Sequence, residues 1–157
     1  MVDKIQFPVF VFCGDSYSSY VDNRDLLIRS RKEIHRGFFK DLDIVDSNGV
    51  LWCIKEVKQD KYIKIPIMLH LFKWGILGAV KISKAIKRQD LSKSEIVNRI
   101  VKSVCFSPPG VSEQFDSDEL TSVLMRKKSI RSIIEYFSGD TPDCLKDEFT
   151  YIEISNE

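Results

Sequence analysis

Cysteine and histidine are the side chains best suited to nucleophilic catalysis and to zinc binding, and this chain has few of them. They are Cys13, Cys53, Cys105, Cys144, His35 and His70. A zinc site needs three or four clustered ligands, commonly with pairs at short spacing. Because the cysteines are far apart and each histidine stands alone, the sequence predicts no metal site. Cys13 and Cys53 fall in strand-like runs, where free cysteine acts as a small hydrophobic side chain.

Two cysteines remain candidates for a reactive thiol, since a Cys–His pair can be assembled from distant parts of a fold. Cys105 lies at a predicted helix end. Cys144 lies near a predicted helix start, where the helix dipole lowers a thiol pKa. The acidic neighbours of Cys144 would raise that pKa again. We therefore expect both thiols to be without a catalytic role. A small cysteine-dependent enzyme is the third functional alternative.

An acidic string before a glycine superficially suggests a calcium loop. It consists of Asp41, Asp43, Asp46 and Asn48, followed by Gly49. A calcium loop places oxygen ligands at alternate positions through a long turn and closes with a glutamate. Here apolar strand-type residues intervene, so the pattern predicts a turn, in which Asp and Asn are favoured for their own reasons.

Charge is distributed very unevenly along the chain, although the net charge is only +1. Residues 61–102 hold 10 basic and 2 acidic residues, whereas residues 135–157 hold 1 basic and 7 acidic residues. The basic segment interleaves lysines with aromatic residues, as single-strand nucleic-acid binders do. Alternatively, Lys73, Lys81, Lys84, Lys87 and Arg88 form the solvated side of a helix. Nucleic-acid binding through residues 61–102 is the second functional alternative.

The acidic end of the chain allows two interpretations. It is either an ordinary solvated surface or an electrostatic docking face for a basic protein, where complementary potential speeds association. The residues chosen as the candidate contact face are Asp140, Asp143, Asp147 and Glu148.

Strand signals are clearest in the first third of the chain. Residues 6–13 are rich in aromatic and β-branched side chains, which favours a strand. Two strand-like runs, 42–45 and 50–54, are joined by a turn that ends in Asn48-Gly49, which predicts a β-hairpin. Further strands are expected around 62–67 and at 149–154, where apolar and polar residues alternate.

Helices are predicted in the rest of the chain. A short helix is expected after Asp22 and should end by Gly37. Residues 68–87 partly follow the helical period. Ser92 and Glu95 form a capping box for the next helix. Two further helices are expected, one capped by Asp116 or Ser117 and the other by Ser129 and stopped by Gly139.

These elements predict a single α+β domain over residues 1–157, with a mainly antiparallel sheet, a central hairpin and several short helices packed against it. The composition, 43% hydrophobic and 30% charged, is that of a globular protein. The most apolar stretch, 63–86, contains four lysines, a proline and a histidine, which argues against a membrane span. No secretory signal is recognisable, so a cytoplasmic protein with reduced thiols is expected.

The order of features resembles small bacterial immunity proteins of contact-dependent or polymorphic toxin systems. The resemblance rests on the phenylalanine-rich first strand (7–12), the Asp25-Leu26-Leu27 helix, and the hairpin from Gly37-Phe38-Phe39-Lys40 to Asn48-Gly49 with Trp52. Compact helices such as 129–137 follow. The resemblance covers about the first 58 residues and transfers no contact residue. It implies a cytoplasmic inhibitor without catalysis or cofactor, whose partner is a cognate toxin.

The sequence therefore favours a non-catalytic protein-binding inhibitor. Inhibition by occlusion needs a complementary interface of roughly 1,200–2,000 Å² in total, not a constellation of reactive groups. No motif in the sequence indicates the oligomeric state of the protein or its binding face.

Overall fold

The computed structural model describes residues 3–13, 16–20, 26–60, 77–105, 116–137 and 151–154. The strands are β1 (Asp3–Gln6), β2 (Val9–Cys13), β3 (Ser16–Tyr20), β4 (Ile28–Ser30), β5 (Leu42–Val45), β6 (Val50–Gln59), β7 (Leu77–Asp90) and β8 (Tyr151–Ile154). The helices are α1 (Arg31–His35), α2 (Lys93–Cys105), α3 (Ser117–Met125) and α4 (Ile130–Glu135).

Six strands form one sheet in the order β3-β2-β5-β6-β7-β4, and β1 pairs with β8 in a separate two-stranded ribbon. Every pair is antiparallel. The fold is therefore α+β with an antiparallel sheet, as the sequence predicts. The ribbon also confirms a strand near the end of the chain, over residues 151–154.

The predicted hairpin joins β5 to β6 at the centre of the sheet, with Val45 opposite Leu51. The Gly49 amide donates to the Asp46 carbonyl (2.9 Å), and Gly49 has a φ of +83°. A side chain there would also collide with Ile130, whose Cδ1 would lie 2.8 Å from an added Cβ. The backbone conformation therefore favours glycine, and a side chain would in addition displace the end of Ile130.

Asp46 is the one charged residue that is fully buried among those the structure describes. Its carboxylate accepts hydrogen bonds from the amides of Asn48 (2.9 Å) and Val50 (3.0 Å) and from the Trp52 indole (2.9 Å). The Gln6 amide approaches the same carboxylate at 3.4 Å. One side chain thus joins the hairpin turn to strand β6 and to ribbon strand β1, which compensates the burial of its charge.

The helix caps follow the sequence closely. Ser92 and Glu95 make the reciprocal bonds of a capping box, with the Ser92 amide 2.7 Å from the Glu95 carboxylate. Asp116, rather than Ser117, caps α3 by accepting from the amides of residues 118 and 119. Ser129 caps α4.

The two faces of the sheet bury separate apolar clusters. One face packs against β1 and the segment around Leu26 and Phe39; its strand residues include Val11, Ile44 and Ile54. The other face, here called the helical face, contributes Phe10, Val45 and Leu51, which pack against the apolar sides of α2, α3 and α4.

The helix predicted over 68–87 is wrong from residue 77 onward, because Leu77–Asp90 is a strand of 14 residues. Two bulges in its pairing with β6 explain the misleading pattern: Ser83 and Arg88 have no partner in the register. An extra residue shifts the side-chain alternation by one. The apolar residues Ala79, Ile82 and Ile86 consequently stand three and then four apart, which is the spacing of a helix side.

The helix expected between Asp22 and Gly37 is not continuous: residues 26–27 are helical, and Asp22 lies outside the described residues. Residues 28–30 form strand β4, which pairs with β7, and α1 begins only at Arg31 under a capping box made by Ser30 and Glu33. Gly37 does adopt the predicted left-handed conformation, with a φ of +82°. A strand thus interrupts the predicted helix, and Ser30 caps the helix that follows this strand.

Several predictions lie outside the described residues: the strand at 62–67, the first part of the 68–87 helix, and the stop at Gly139. No helix within the described ranges has the length and apolar character needed to cross a membrane.

Candidate binding surface

Among the residues that the structure describes, the helices cover only part of the helical face of the sheet. Arg99 of α2 donates to Asp43 of β5 (3.0 Å), which places Asp43 on this face at the margin of the helical layer. Cys53 is the cross-strand neighbour of Asp43, and Ile86 is the cross-strand neighbour of Cys53. Cross-strand neighbours share a face. The row therefore runs from beneath α2 outward to Ile86 on β7.

Exposure changes sharply along this row. Cys53 is completely buried, whereas Ile86 is 45% exposed. Two other large apolar side chains in the described residues are exposed to a similar degree, Met125 and Tyr136, both 42%. Those two lie in or beside the helices α3 and α4, so Ile86 is the large apolar side chain exposed on the sheet among the strand residues whose burial is described.

Charged residues of β6 and β7 lie on the same face of the sheet as Ile86. Glu56 pairs with Lys84 and Lys58 pairs with Lys81 across β6 and β7. Their neighbours Val57 and Ile82 belong to the opposite core, so the charged pairs share the face of Ile86. We call this area the open half-face and define it by Glu56, Lys58, Lys81, Lys84, Ile86 and Arg88.

The open half-face carries an excess of positive charge, with four cations and one carboxylate. Lys58 and Lys81 are direct cross-strand neighbours, an arrangement of like charges that destabilises a sheet. Glu56 lies 3.8 Å from Lys58 and is more than half exposed, so it compensates this repulsion weakly. The surface retains an unfavourable charge arrangement that folding alone does not require.

An ion-pair network fixes the inner margin of the open half-face. Asp43 lies between Arg99 (3.0 Å) and Arg88 (3.6 Å). A hydrogen bond to the Cys53 sulfur and the charge of Asp43 raise the pKa of Arg88. Arg99 also lies over the ring of Phe12, at 4.9 Å from the ring centre. The network orders a strand residue, a bulge residue and a helix residue together.

A second ion pair, between Lys55 and Asp41, continues the surface toward the start of β5. The hydrogen bond and the charge of Lys55 lower the pKa of Asp41, and the nearby charges of Lys40 and Arg88 act in the same direction. Asp41 has a φ of +55°, which aspartate tolerates better than most residues do.

Beyond Asp41 lies an open groove of about 290 Å³ between α1 and the start of β5. Its apolar lining comes from Phe12, Phe38 and Leu42. Its polar lining comes from Glu33, Arg36, Lys40 and Asp41, and Gly37 completes the wall. The groove and the open half-face therefore meet at the Asp41–Lys55 ion pair.

The residues of the suspected calcium loop serve three different purposes. Asp41 pairs with Lys55, Asp43 binds two arginines, and Asp46 closes the hairpin. Among the residues that the structure describes, no three His, Cys, Asp or Glu side chains come together as metal ligands. The turn interpretation is the one that accounts for Asp46 and Gly49.

The candidate thiols are placed unequally. Cys53 is buried in the sheet, and Cys105 is partly buried at the end of α2. Burial, followed by the charge of Asp116, raises the pKa of the Cys105 thiol, which lowers its thiolate fraction at neutral pH. Cys144 and His70 lie outside the described residues, as do the predicted contact residues Asp140, Asp143, Asp147 and Glu148.

The basic residues of the middle segment lie on a different kind of element from the one predicted. Lys81, Lys84, Lys87 and Arg88 are exposed, as expected, but on a strand and not on a helix. Sequence reasoning missed Ile86, which reads as one more core residue in an apolar run. It also missed the link between Asp43 and Arg99, which are 56 residues apart. Of the sequence signals, the surplus of basic residues in 61–102 is the one that includes part of this surface.

The chain matches no protein-family model, no curated protein and no solved structure in the comparisons made.

Proposed function

We propose that the chain is a non-catalytic protein-binding inhibitor and that the open half-face is its contact surface. The observation that carries the proposal is Ile86, a half-exposed apolar side chain on the sheet face that also carries the charged residues of β6 and β7. Protein interfaces characteristically combine an apolar centre with a polar rim. Their binding energy is concentrated in a few central anchors.

The charges on the open half-face indicate the chemistry of the partner. Its four cations outnumber its single carboxylate, and Lys58 and Lys81 repel one another across the strands. An acidic partner surface would relieve this repulsion and accelerate association. The acidic residues 140–148 remain a second predicted contact region, suited to a basic partner.

The resemblance to toxin-immunity proteins supplies the proposed biological role, which is occlusion of a cognate toxin. The geometry compatible with that role is a continuous surface that runs from Lys58, across Ile86 and Lys55, to the groove beside α1. Inhibition of this kind requires shape and charge complementarity and no reactive group.

The test compares two substitutions of matched exposure. Covering Ile86, which is 45% exposed, recovers about half of the roughly 1.5–3 kcal/mol available from full burial of such a side chain. Ile86→Asp removes this gain and buries an unpaired charge, so binding should weaken at least about 30-fold. Met125→Asp, at 42% exposure on α3, is the control and should retain binding.

The measurement is differential capture with the wild type and both variants as baits, using lysate from cells that express the neighbouring reading frames. A protein retained by the wild type and by Met125→Asp, but lost with Ile86→Asp, supports the proposal. Identical capture by the wild type and by Ile86→Asp would reject the open half-face. Ile86→Thr, which keeps the β-branched shape, repeats the test if the aspartate variant folds poorly.

Nucleic-acid binding is the second candidate, and the cluster of Lys58, Lys81 and Lys84 favours it. Phosphates would neutralise the same three lysines. Binding that depends on phosphate contacts falls steeply as salt increases. A salt-dependent affinity for single-stranded DNA or RNA that is lost in Lys81→Glu but kept in Ile86→Asp would favour this alternative over protein binding.

A further inference from the structure

We propose that the groove between α1 and the start of β5 is an anchor pocket for one apolar side chain within an acidic segment of the partner protein. The inference rests on the proposed function, which it deepens by giving the chemistry of a second contact. Four observations support it: the size of the groove, its fixed apolar floor, the state of its charges and its continuity with the open half-face.

The size of the groove indicates a single side chain. Its volume of about 290 Å³ lies at the lower limit of the roughly 300–1,000 Å³ that small-molecule and cofactor sites occupy. It is open to solvent along its length, which suits a side chain that projects from a peptide backbone. A leucine or phenylalanine of the partner would occupy it.

The apolar floor is fixed before any ligand arrives. The rings of Phe38 and Phe39 meet edge to face, with centres 4.9 Å apart, and Phe39 is buried in the core. The Arg29 guanidinium lies 4.8 Å from the centre of the Phe38 ring. Leu42 is also buried. A floor whose side chains are already ordered loses little conformational freedom on binding.

Two carboxylates and two cations line the groove, and Lys55, which pairs with Asp41, brings the total to a surplus of one positive charge. The Glu33 carboxylate is engaged in the α1 capping box, where it accepts from the Ser30 hydroxyl at 2.8 Å. The Asp41 carboxylate is engaged by Lys55. Arg36 and Lys40 are both exposed, and neither has an ion-pair partner among the described residues. Carboxylates on either side of an inserted apolar residue would complement these two cations.

The groove is continuous with the open half-face, so one partner segment can contact both. Asp41 lines the groove and pairs with Lys55, which is the bulge residue between Ile54 and Glu56 on β6. Because both areas carry a surplus of positive charge, both favour an acidic partner segment. Two linked contacts bind more tightly than either contact alone.

The probe is an N-acetylated, C-amidated hexapeptide with one phenylalanine among aspartates and glutamates. It is titrated into the ¹⁵N-labelled full-length chain while amide NMR signals are recorded. Binding should shift the signals of Gly37, Phe38 and Lys40 in a saturable manner, with an affinity in the roughly millimolar range expected for one buried side chain and two exposed ion pairs. The same peptide with alanine in place of phenylalanine should bind about 10-fold more weakly.

The matched variants are Lys40→Glu and Lys32→Glu, two exposed lysines of which only Lys40 lines the groove. Lys40→Glu should weaken the phenylalanine peptide about 3- to 10-fold at low salt, and Lys32→Glu should leave its affinity unchanged. Equal binding of the two peptides, or equal effects of the two variants, would overturn the proposal. Concentration-dependent shifts of the same amides without peptide would identify a second copy of the chain as the occupant and would also overturn it.

These outcomes are separable from those of the proposed function. If Ile86→Asp abolishes capture of the partner but the peptide does not bind the groove, the proposed anchor pocket is wrong and the open half-face is supported. If the peptide binds the groove but Ile86→Asp captures the partner normally, the anchor pocket is supported and the open half-face is wrong as the contact surface.

Discussion

Replacement of Asp46 by asparagine tests the hydrogen-bond network that joins the hairpin to the rest of the sheet. The Asp46 carboxylate is fully buried and accepts from the amides of Asn48 and Val50 and from the Trp52 indole, at 2.9–3.0 Å. All of its partners are donors. An asparagine offers one acceptor oxygen and one donor group. Its NH2 group would therefore face one of the donors that the second carboxylate oxygen now accepts from.

The expected destabilisation follows from the number of bonds affected. A hydrogen bond to a charged group contributes about 1.5–3 kcal/mol, and a buried donor left unsatisfied costs about 1–3 kcal/mol. Asp46→Asn should therefore lower the free energy of unfolding by about 3 kcal/mol. In a domain of this size each kcal/mol corresponds to roughly 2–4 °C, so the melting temperature should fall by about 6–12 °C.

The assay is urea denaturation followed by tryptophan fluorescence and circular dichroism. Asp90→Asn is the control, because Asp90 is 73% exposed and pairs only with Lys87 at the surface. The control should change stability by less than about 0.5 kcal/mol. Trp52→Phe removes the indole donor, and its effect should be smaller in the Asp46→Asn background than in the wild type. Equal stabilities of Asp46→Asn and Asp90→Asn, or strictly additive effects with Trp52→Phe, would refute the account of the network.

Three smaller predictions concern the helices and the thiols. Ser92→Ala should destabilise the protein by about 1 kcal/mol in denaturant unfolding, because it removes the cap of α2. The Ser92 hydroxyl and amide lower the pKa of Glu95; the stability that Glu95 contributes is therefore present above its unfolded pKa and is lost as pH falls through the folded pKa. The stability difference between the wild type and Glu95→Gln should accordingly shrink on acidification from pH 7 to about pH 3, and a constant difference would contradict it. Cys105, whose pKa is raised, should react with a disulfide reagent at pH 7.5 more slowly than free cysteine, measured in a variant that keeps only this thiol; a faster reaction would revive the thiol-enzyme alternative.

Much of the architecture could be predicted from local signals. The Asn48-Gly49 turn, the Ser92–Glu95 capping box and the caps at Asp116 and Ser129 depend on neighbouring residues only, and each lies where the sequence places it. The α+β class follows from these elements. Local signals suffice because turn and cap preferences come from backbone conformation and short-range hydrogen bonds.

Strand β7 could not be predicted from local signals, for a physical reason. Its bulges at Ser83 and Arg88 exist only because β6 lies beside it and sets the register. Without that partner, the spacing of Ala79, Ile82 and Ile86 is equally compatible with a helix. The candidate surface depends on the same pairing, since Ile86 is exposed and Cys53 is buried in one cross-strand row.

The charge surplus of the middle segment was visible in the sequence, but its arrangement was not. Lys58 lies outside that segment and meets Lys81 only across the strands. Asp43, which was suspected as a turn residue, instead holds Arg88 and Arg99 together. A linear count of charges cannot distinguish a solvated helix side from a sheet surface with an apolar centre.

The central claim is that Ile86 and the cations around it form the contact surface for a partner protein. Its most direct test is the dissociation constant of the captured partner for the wild type, Ile86→Asp and Met125→Asp, measured by calorimetry under one salt condition. The account predicts a loss of at least about 30-fold for Ile86→Asp and a change below about twofold for Met125→Asp. Equal dissociation constants for the wild type and Ile86→Asp would contradict it.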